Sequence, residues 1–196
     1  METFRAAILD TETTGAGPGD QVVEIAILVH DYALETGAAL REVASYQSLN
    51  EPTVAIHPTA QAIHGLSMKE LRGHRMRESD IVQVLRGCHA VVAHNVPFDR
   101  GMMRSHFAWM QSLPWRCSCW SIPWKALGFE NGKLQSLLAA HRINPGSAHR
   151  AMDDVRGLHQ LMQHVHPHSG RHYIWHAVKA EEFAAAGVGA GFDPWG

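Results

Sequence analysis

Five residues in three short segments carry the chemistry of this chain: Asp10 and Glu12 in ILDTETTG, Asp99 in VVAHNVPFDR, and His149 with Asp154 in SAHRAMDDV. Four carboxylates brought to one place repel one another unless cations neutralise them. Two divalent ions carry the matching charge, and paired metals serve phosphoryl chemistry. Histidine is the side chain best suited to accept a proton from water near neutral pH. Gathered in one site, these residues would form the centre of a metal-dependent nuclease.

The elements around them are suited to that task. Phe4 to Asp10 is an apolar run ending in an acid, the pattern of a buried strand that delivers a side chain at its C-terminal end. Asp10 and Glu12 are two apart, so an extended backbone points both to one face. The turn formers of TTGAGPGD lead hairpin-fashion into a second strand, QVVEIAILVH, and Glu42 to Asn50 reads as a third with weak alternation. Residues 51–66, containing AIHGLS, read as an irregular connection. Ser79 to Arg86 is expected to be helical, and Ala90 to His94 a buried strand. Pro97 to Met110 has helical spacing, which puts Asp99 in a first turn where the helix dipole favours negative charge. Asn95 stands where it could cap that helix or touch a ligand.

A short strand and a helix are expected between Trp115 and Gly128, and helices over Lys133 to His141, Arg150 to His164 and about Tyr173 to Ala186. The glycine-rich end GVGAGFDPWG is expected to be loose. Early strands followed by mixed helices and strands predict a three-layer α/β domain around a mixed sheet.

The chain has 196 residues, 45% of them hydrophobic and 18% charged, ordinary for a soluble globular protein with one substantial core. No run approaches the length of a membrane span, so no membrane association is expected. METFRAAILD lacks the pattern of a signal peptide, and three cysteines imply no disulfide framework, which makes a reducing cytoplasm the expected location. Charge is segregated: residues 100–150 hold seven Lys/Arg against Glu130 alone, while residues 1–99 hold thirteen acids against seven bases. A basic middle segment could contact phosphates beside an acidic site, or simply form solvated helix faces. Trp109, Trp115, Trp120 and Trp124 could stack bases or fill the core. Cys117 and Cys119 are spaced C-x-C, not the C-x₂₋₄-C of structural zinc sites.

Taken in order, DTETTG, HNVPFD and HRAMDD resemble the three motifs of the DEDDh 3′–5′ exonucleases of the ribonuclease H-like superfamily, and AIHGLS is similar to a further segment of that family. The resemblance covers roughly residues 4–165. It implies a ribonuclease H-like domain, a central mixed sheet flanked by helices, over residues 1–168, with a C-terminal helical extension and tail over 169–196. It implies two divalent cations, Mg²⁺ or Mn²⁺, held by Asp10, Glu12, Asp99 and Asp154, and His149 as general base. The family's motif spacing selects Asp154 over Asp153. Thr11, Thr13, His64, Asn95 and Phe98 would line the pocket for the terminal nucleotide. The implied reaction removes nucleoside 5′-monophosphates from the 3′ end of DNA, single-stranded by preference, or of RNA. Three alternatives stay open: a proofreading subunit in a polymerase or repair complex, a homodimer, and a non-catalytic nucleic-acid-binding protein on the same fold.

Overall fold

A computed structural model describes residues 1–144, 146, 149–189 and 191–193. Its centre is a five-stranded sheet in the order β3-β2-β1-β4-β5. β1 (Thr3–Thr13), β2 (Val22–Ala33) and β3 (Ala39–Leu49) form an antiparallel meander. β4 (Ala90–Ala93) and β5 (Trp115–Cys117) then add in parallel to the other side of β1. The C-terminal ends of β1, β4 and β5 therefore share one edge of the sheet, the edge at which open α/β sheets bind ligands.

β1 is apolar on both faces because both are covered. Phe4, Ala6 and Ile8 join the core layer containing Val155, Leu158, Leu161 and Ile174. Ala7 and Leu9 join the opposite layer with Ile81, Leu85 and Met103. The first layer is supplied mainly by α7 (Ala151–Met162) and α8 (Tyr173–Val178), the second by α3 (Glu78–Leu85) and α4 (Val96–Arg104). On α7 the buried stripe runs Ala151, Asp154, Val155, Leu158, Leu161, Met162, the i, i+3, i+4, i+7 spacing of one helix face. β3 is the exposed edge strand, and Arg41, Glu42, Ser45 and Gln47 make it a poor template for pairing with another chain. The result is the expected three-layer α/β arrangement.

Several local expectations need correction. Residues 51–66 are not wholly irregular, because they contain α1 (Pro58–His64), and α2 (Met68–Leu71) follows. The ends of α1 carry its signals: Pro58 in the first turn and Gly65 in the left-handed conformation at φ 75°. Its only buried residue is His64, so there is no apolar periodicity to find. The helix expected over Pro97 to Met110 stops at Arg104 and resumes as a 3₁₀ turn, Ala108–Ser112. α5 (Ser118–Ser121) is a single turn, and α6 (Leu134–Ala140) matches its expected position. The last helix is broken at Lys179, φ 56°, into α8 and α9 (Ala180–Ala186).

The tail expected to be loose is tied down at Phe192. Its N–H donates to the Cys88 carbonyl (2.8 Å), its own carbonyl accepts from Gly87 N–H (2.7 Å), and its ring stacks on Trp109 at 5.8 Å. Ala190 and residues 194–196 of the same stretch lie outside the described residues. No helix among the described residues is long and apolar enough to cross a membrane.

Leu158 lies at the centre of the α7 stripe, 2% exposed. Leu158→Ala is expected to destabilise the fold by about 2–5 kcal/mol, the range for emptying a buried leucine site, as read from the shift in a urea unfolding midpoint.

Candidate active site

The last turns of β1 bring the first two carboxylates into place. Asp10 and Glu12 continue the Phe4, Ala6, Ile8 face, so they point toward α7. Asp154 occupies a buried position of the α7 stripe and meets them there. One ligand atom each from Glu12, His149 and Asp154 lies within 4.8 Å of the others. Asp99, 3% exposed in the first turn of α4, reaches the same edge from the other layer and accepts a hydrogen bond from Thr11 Oγ1 at 2.8 Å. Asp153 points elsewhere, into a small cavity with Gln47, Arg150 and Arg156.

Electrostatics show how poorly these acids tolerate one another. Burial, then the charges of Asp99, Glu12 and Asp154, push the Asp10 carboxyl well above its ordinary value. Burial and the neighbouring Asp154 and Glu24 push Glu12 up to about 8. Burial raises Asp99 to about 7 against the opposing Thr11 hydrogen bond. Asp154 is raised by burial too, with Gln135 and His149 opposing. Such a set is stable when protonated or when a cation supplies the missing charge. A hard all-oxygen carboxylate set with one imidazole beside it suits Mg²⁺ or Mn²⁺, so the residues fit a divalent metal.

A second layer of side chains, none of them among the residues expected at the site, holds the first. Glu24 of β2 faces Glu12 across the sheet and is fully buried. It accepts two hydrogen bonds from the Arg150 guanidinium (2.8 and 3.1 Å), one from Ala151 N–H (3.2 Å) and one from Gln47 (2.8 Å). Burial alone would raise its pKa, but the Arg150 and Gln47 hydrogen bonds hold it below the ordinary value. Glu24 thus stays charged and anchors the first residues of α7. Gln135 of α6 donates to Asp154 Oδ1 at 2.7 Å, while the His149 backbone N–H donates to Oδ2 at 3.1 Å. His149 adopts φ 63°, a left-handed conformation unusual for any residue but glycine, at the point where the chain turns its imidazole toward the carboxylates. Glu24 had a legible signal, a lone acid in the otherwise apolar run VVEIAILV, since a buried charge requires a partner. Gln135 had none.

Of the remaining residues expected at the site, Thr11, Thr13, His64 and Phe98 line a cavity of about 600 Å³ beside the carboxylates, and Asn95 is not among its walls. Its walls include Thr11, Glu12, Thr13, Gly15, His64 and Phe98, with Ile63 of α1 half exposed at its rim. The volume suits one nucleotide-sized ligand. Thr13 Oγ1 is spent on the Gly15 carbonyl (2.7 Å). Both His64 nitrogens are also engaged: Nδ1 accepts from Leu66 N–H (3.0 Å), so Nε2–H donates to the Thr13 carbonyl (3.2 Å). His64 therefore presents its ring to the cavity. Asn95 takes the N-cap position of α4, is exposed and makes no side-chain cap bond. Phe98 also lines a second cavity, formed with Pro18, Gly19, Pro97 and His106.

Fold and site together define a nuclease of the ribonuclease H-like superfamily. A family profile described as Exonuclease (RNase_T) matches residues 7–162. The chain belongs to that family, the DEDD-type 3′–5′ exonucleases. Members generally use divalent metals. No curated protein matches the chain significantly by sequence.

Solved structures support the fold. An exonuclease X bound to 5′-overhanging duplex DNA is 24% identical with TM-score 0.54, the alignment covering 94% of this chain and 95% of that one. An E. coli exonuclease I with a dT13 oligonucleotide is 16% identical with TM-score 0.66, covering 93% of this chain. This chain spans about two fifths (43%) of that exonuclease I.

Glu12 has a folded pKa of about 8 against an ordinary carboxylate value, so the metal-free folded state holds a proton that the unfolded state releases. Its charge costs nothing at acid pH and destabilises increasingly as pH rises toward 8. Glu12→Gln removes that cost. In EDTA the variant is expected to melt above wild type by at least about 3 °C at pH 8, since roughly 1 kcal/mol shifts a chain of this size by a few degrees. Well below the ordinary carboxylate value of 4.5 the advantage should vanish. A constant difference across that range in thermal melts would contradict the assignment.

Proposed function

We propose that this chain is a two-cation 3′–5′ exonuclease that releases nucleoside 5′-monophosphates from the 3′ end of DNA, preferentially single-stranded, or of RNA. One observation carries the reading: Glu12, His149 and Asp154 converge within 4.8 Å, beside the raised carboxyls of Asp10 and Asp99, at the mouth of a nucleotide-sized cavity. A purely structural acidic cluster would be paired with arginine or lysine. Here Arg150, whose charge reaches Glu12, is bonded to Glu24 instead.

Asp10, Glu12, Asp99 and Asp154 would hold the cations. Bound divalent metal supplies positive charge to the scissile phosphate and to the departing 3′ oxygen. The 3′-terminal nucleotide enters the cavity between α1 and the first turn of α4. The ring of Phe98 and the half-exposed Ile63 offer the base an apolar surface, the His64 ring closes the floor, and the exposed Asn95 amide stands free for sugar or phosphate. Thr11 keeps Asp99 oriented by its hydroxyl. His149 takes the proton from the attacking water as it adds in line to phosphorus, and the backbone N–H of the same residue grips Asp154 so that base and ligand move together. The phosphodiester bond to the 3′ oxygen breaks, leaving a new 3′-hydroxyl on the shortened strand. The DNA held by the exonuclease X and exonuclease I structures supports a DNA substrate.

With Mg²⁺ or Mn²⁺, a 5′-labelled single-stranded oligonucleotide should shorten stepwise from its 3′ end, and EDTA should abolish the ladder. His149→Ala should lower turnover by about 10²–10⁴-fold, the scale of general-base loss. Asp154→Ala should weaken metal binding as well as rate, measured by calorimetric titration. Unchanged turnover in His149→Ala would exclude the base assignment, and internal cleavage products would exclude an exonuclease.

A further inference from the structure

Among the described residues one aromatic side chain stands largely in the open: Trp120, 76% exposed. The other tryptophans expected as stacking surfaces are occupied. Trp109 stacks on Phe192, Trp115 donates from Nε1 to the Met110 carbonyl, and Trp124 is 3% exposed against Phe129 and Tyr173. Trp120 belongs to α5, which follows β5 without a break and is fastened to the end of β4. The Ser118 hydroxyl pairs with His94 Nδ1 at 3.0 Å, and Cys119 N–H donates to the His94 carbonyl at 3.2 Å. Trp120 therefore stands at the edge shared by the C-terminal ends of β1, β4 and β5. Cys117 at the end of β5 is in register with Ala93 and hence with Leu9, so with strands about 4.8 Å apart it lies roughly 10 Å from Leu9, the neighbour of Asp10.

A short relay links that position to the carboxylates. Cys119 Sγ and His94 Nε2 both donate to the Gly132 carbonyl (3.4 and 2.7 Å). The next residue is the exposed Lys133, and Gln135 two positions on bonds Asp154. On the other flank a shallow cavity of about 450 Å³ is lined by Cys119, Pro123, the exposed Lys125 and Gly132. Neither lysine forms an ion pair among the described residues. The cavity for the terminal nucleotide opens on the opposite, α1 side of the carboxylates. A strand seated there by its 3′ end and crossing the carboxylates would leave the site toward β5.

We propose that Trp120, Lys133 and Lys125 form a second nucleic-acid subsite, in which Trp120 stacks a base upstream of the scissile bond and the lysines contact the backbone of a single-stranded substrate. An open aromatic beside unpaired cations is how proteins hold single strands without reading sequence. The subsite rests on the exonuclease reading for the polarity of the strand, and it predicts a preference for substrates long enough to reach α5.

The test compares KM for a single-stranded dodecanucleotide and for a dinucleotide. Stacking is worth about 1–3 kcal/mol per base, so Trp120→Ala should raise KM for the dodecanucleotide by about 5- to 150-fold and erase the length preference. Trp120→Phe should keep most of it. Leu40→Ala, which trims an exposed apolar side chain on the far edge strand β3, should keep all of it. Lys133→Ala should reduce the salt dependence of binding by about one counterion. Fluorescence anisotropy of the labelled dodecanucleotide with Ca²⁺ in place of the active cation gives a readout independent of cleavage. Cleavage with equal KM and equal anisotropy in wild type and Trp120→Ala would overturn the subsite and leave the exonuclease standing. Binding that Trp120→Ala weakens, without cleavage by wild type, would support the subsite and contradict the exonuclease. Neither binding nor cleavage of DNA or RNA by wild type would overturn both.

Discussion

Mutual repulsion among carboxylates gathered at a desolvated sheet edge is the constraint on which the rest of the structure depends. Asp10, Glu12, Asp99 and Asp154 come from β1, α4 and α7, elements far apart in sequence; burial pushes each toward its protonated form, and acidic neighbours push Asp10 and Glu12 further. Nothing local holds them together. The packing of α7 on one face of β1 and of α4 on the other does so, because Asp154 lies on the same stripe as Val155 and Leu158. Core burial thus supplies the free energy that keeps an electrostatically unfavourable cluster assembled.

The geometry of the cluster is refined by groups that touch no substrate. Glu24 holds Arg150 and the first peptide of α7, which fixes where that helix begins relative to β1 and β2. Gln135 and the His149 N–H occupy the two oxygens of Asp154 and set its rotation. The left-handed backbone of His149 is held by the same contacts, so the proposed base is fixed to the proposed metal ligand beside it. Outer partners of metal ligands commonly matter almost as much as the ligands themselves.

Much of this was legible in the sequence, for reasons that can be traced. β1, β2, β4 and α7 have strong periodicity or fully apolar runs; Asp10, Glu12, His149 and Asp154 lie at or near the ends of β1 and α7, and Asp99 lies in the helix that follows β4. What escaped detection lacked a periodic signal. α1 is short and buries only His64, so its capping residues were the sole evidence for it. The break at Lys179 follows from a left-handed backbone that a lysine does not advertise. Phe192 is fastened through backbone groups to Gly87 and Cys88, contacts that glycine-rich composition cannot reveal. Gln135 was invisible because glutamine on a helix is ordinarily solvent-facing. Its role comes only from the tertiary meeting of α6 and α7.

Calorimetric titration of the metal-free protein with Mn²⁺ near pH 7, in buffers of different ionisation enthalpy, reads whether Glu12 and Asp99 stay partly protonated until a cation joins them. Saturable binding is expected, with an apparent enthalpy that changes with the buffer, because acids with raised pKa values release protons as the metal enters. Binding with no buffer dependence, or no binding at all, would contradict that expectation.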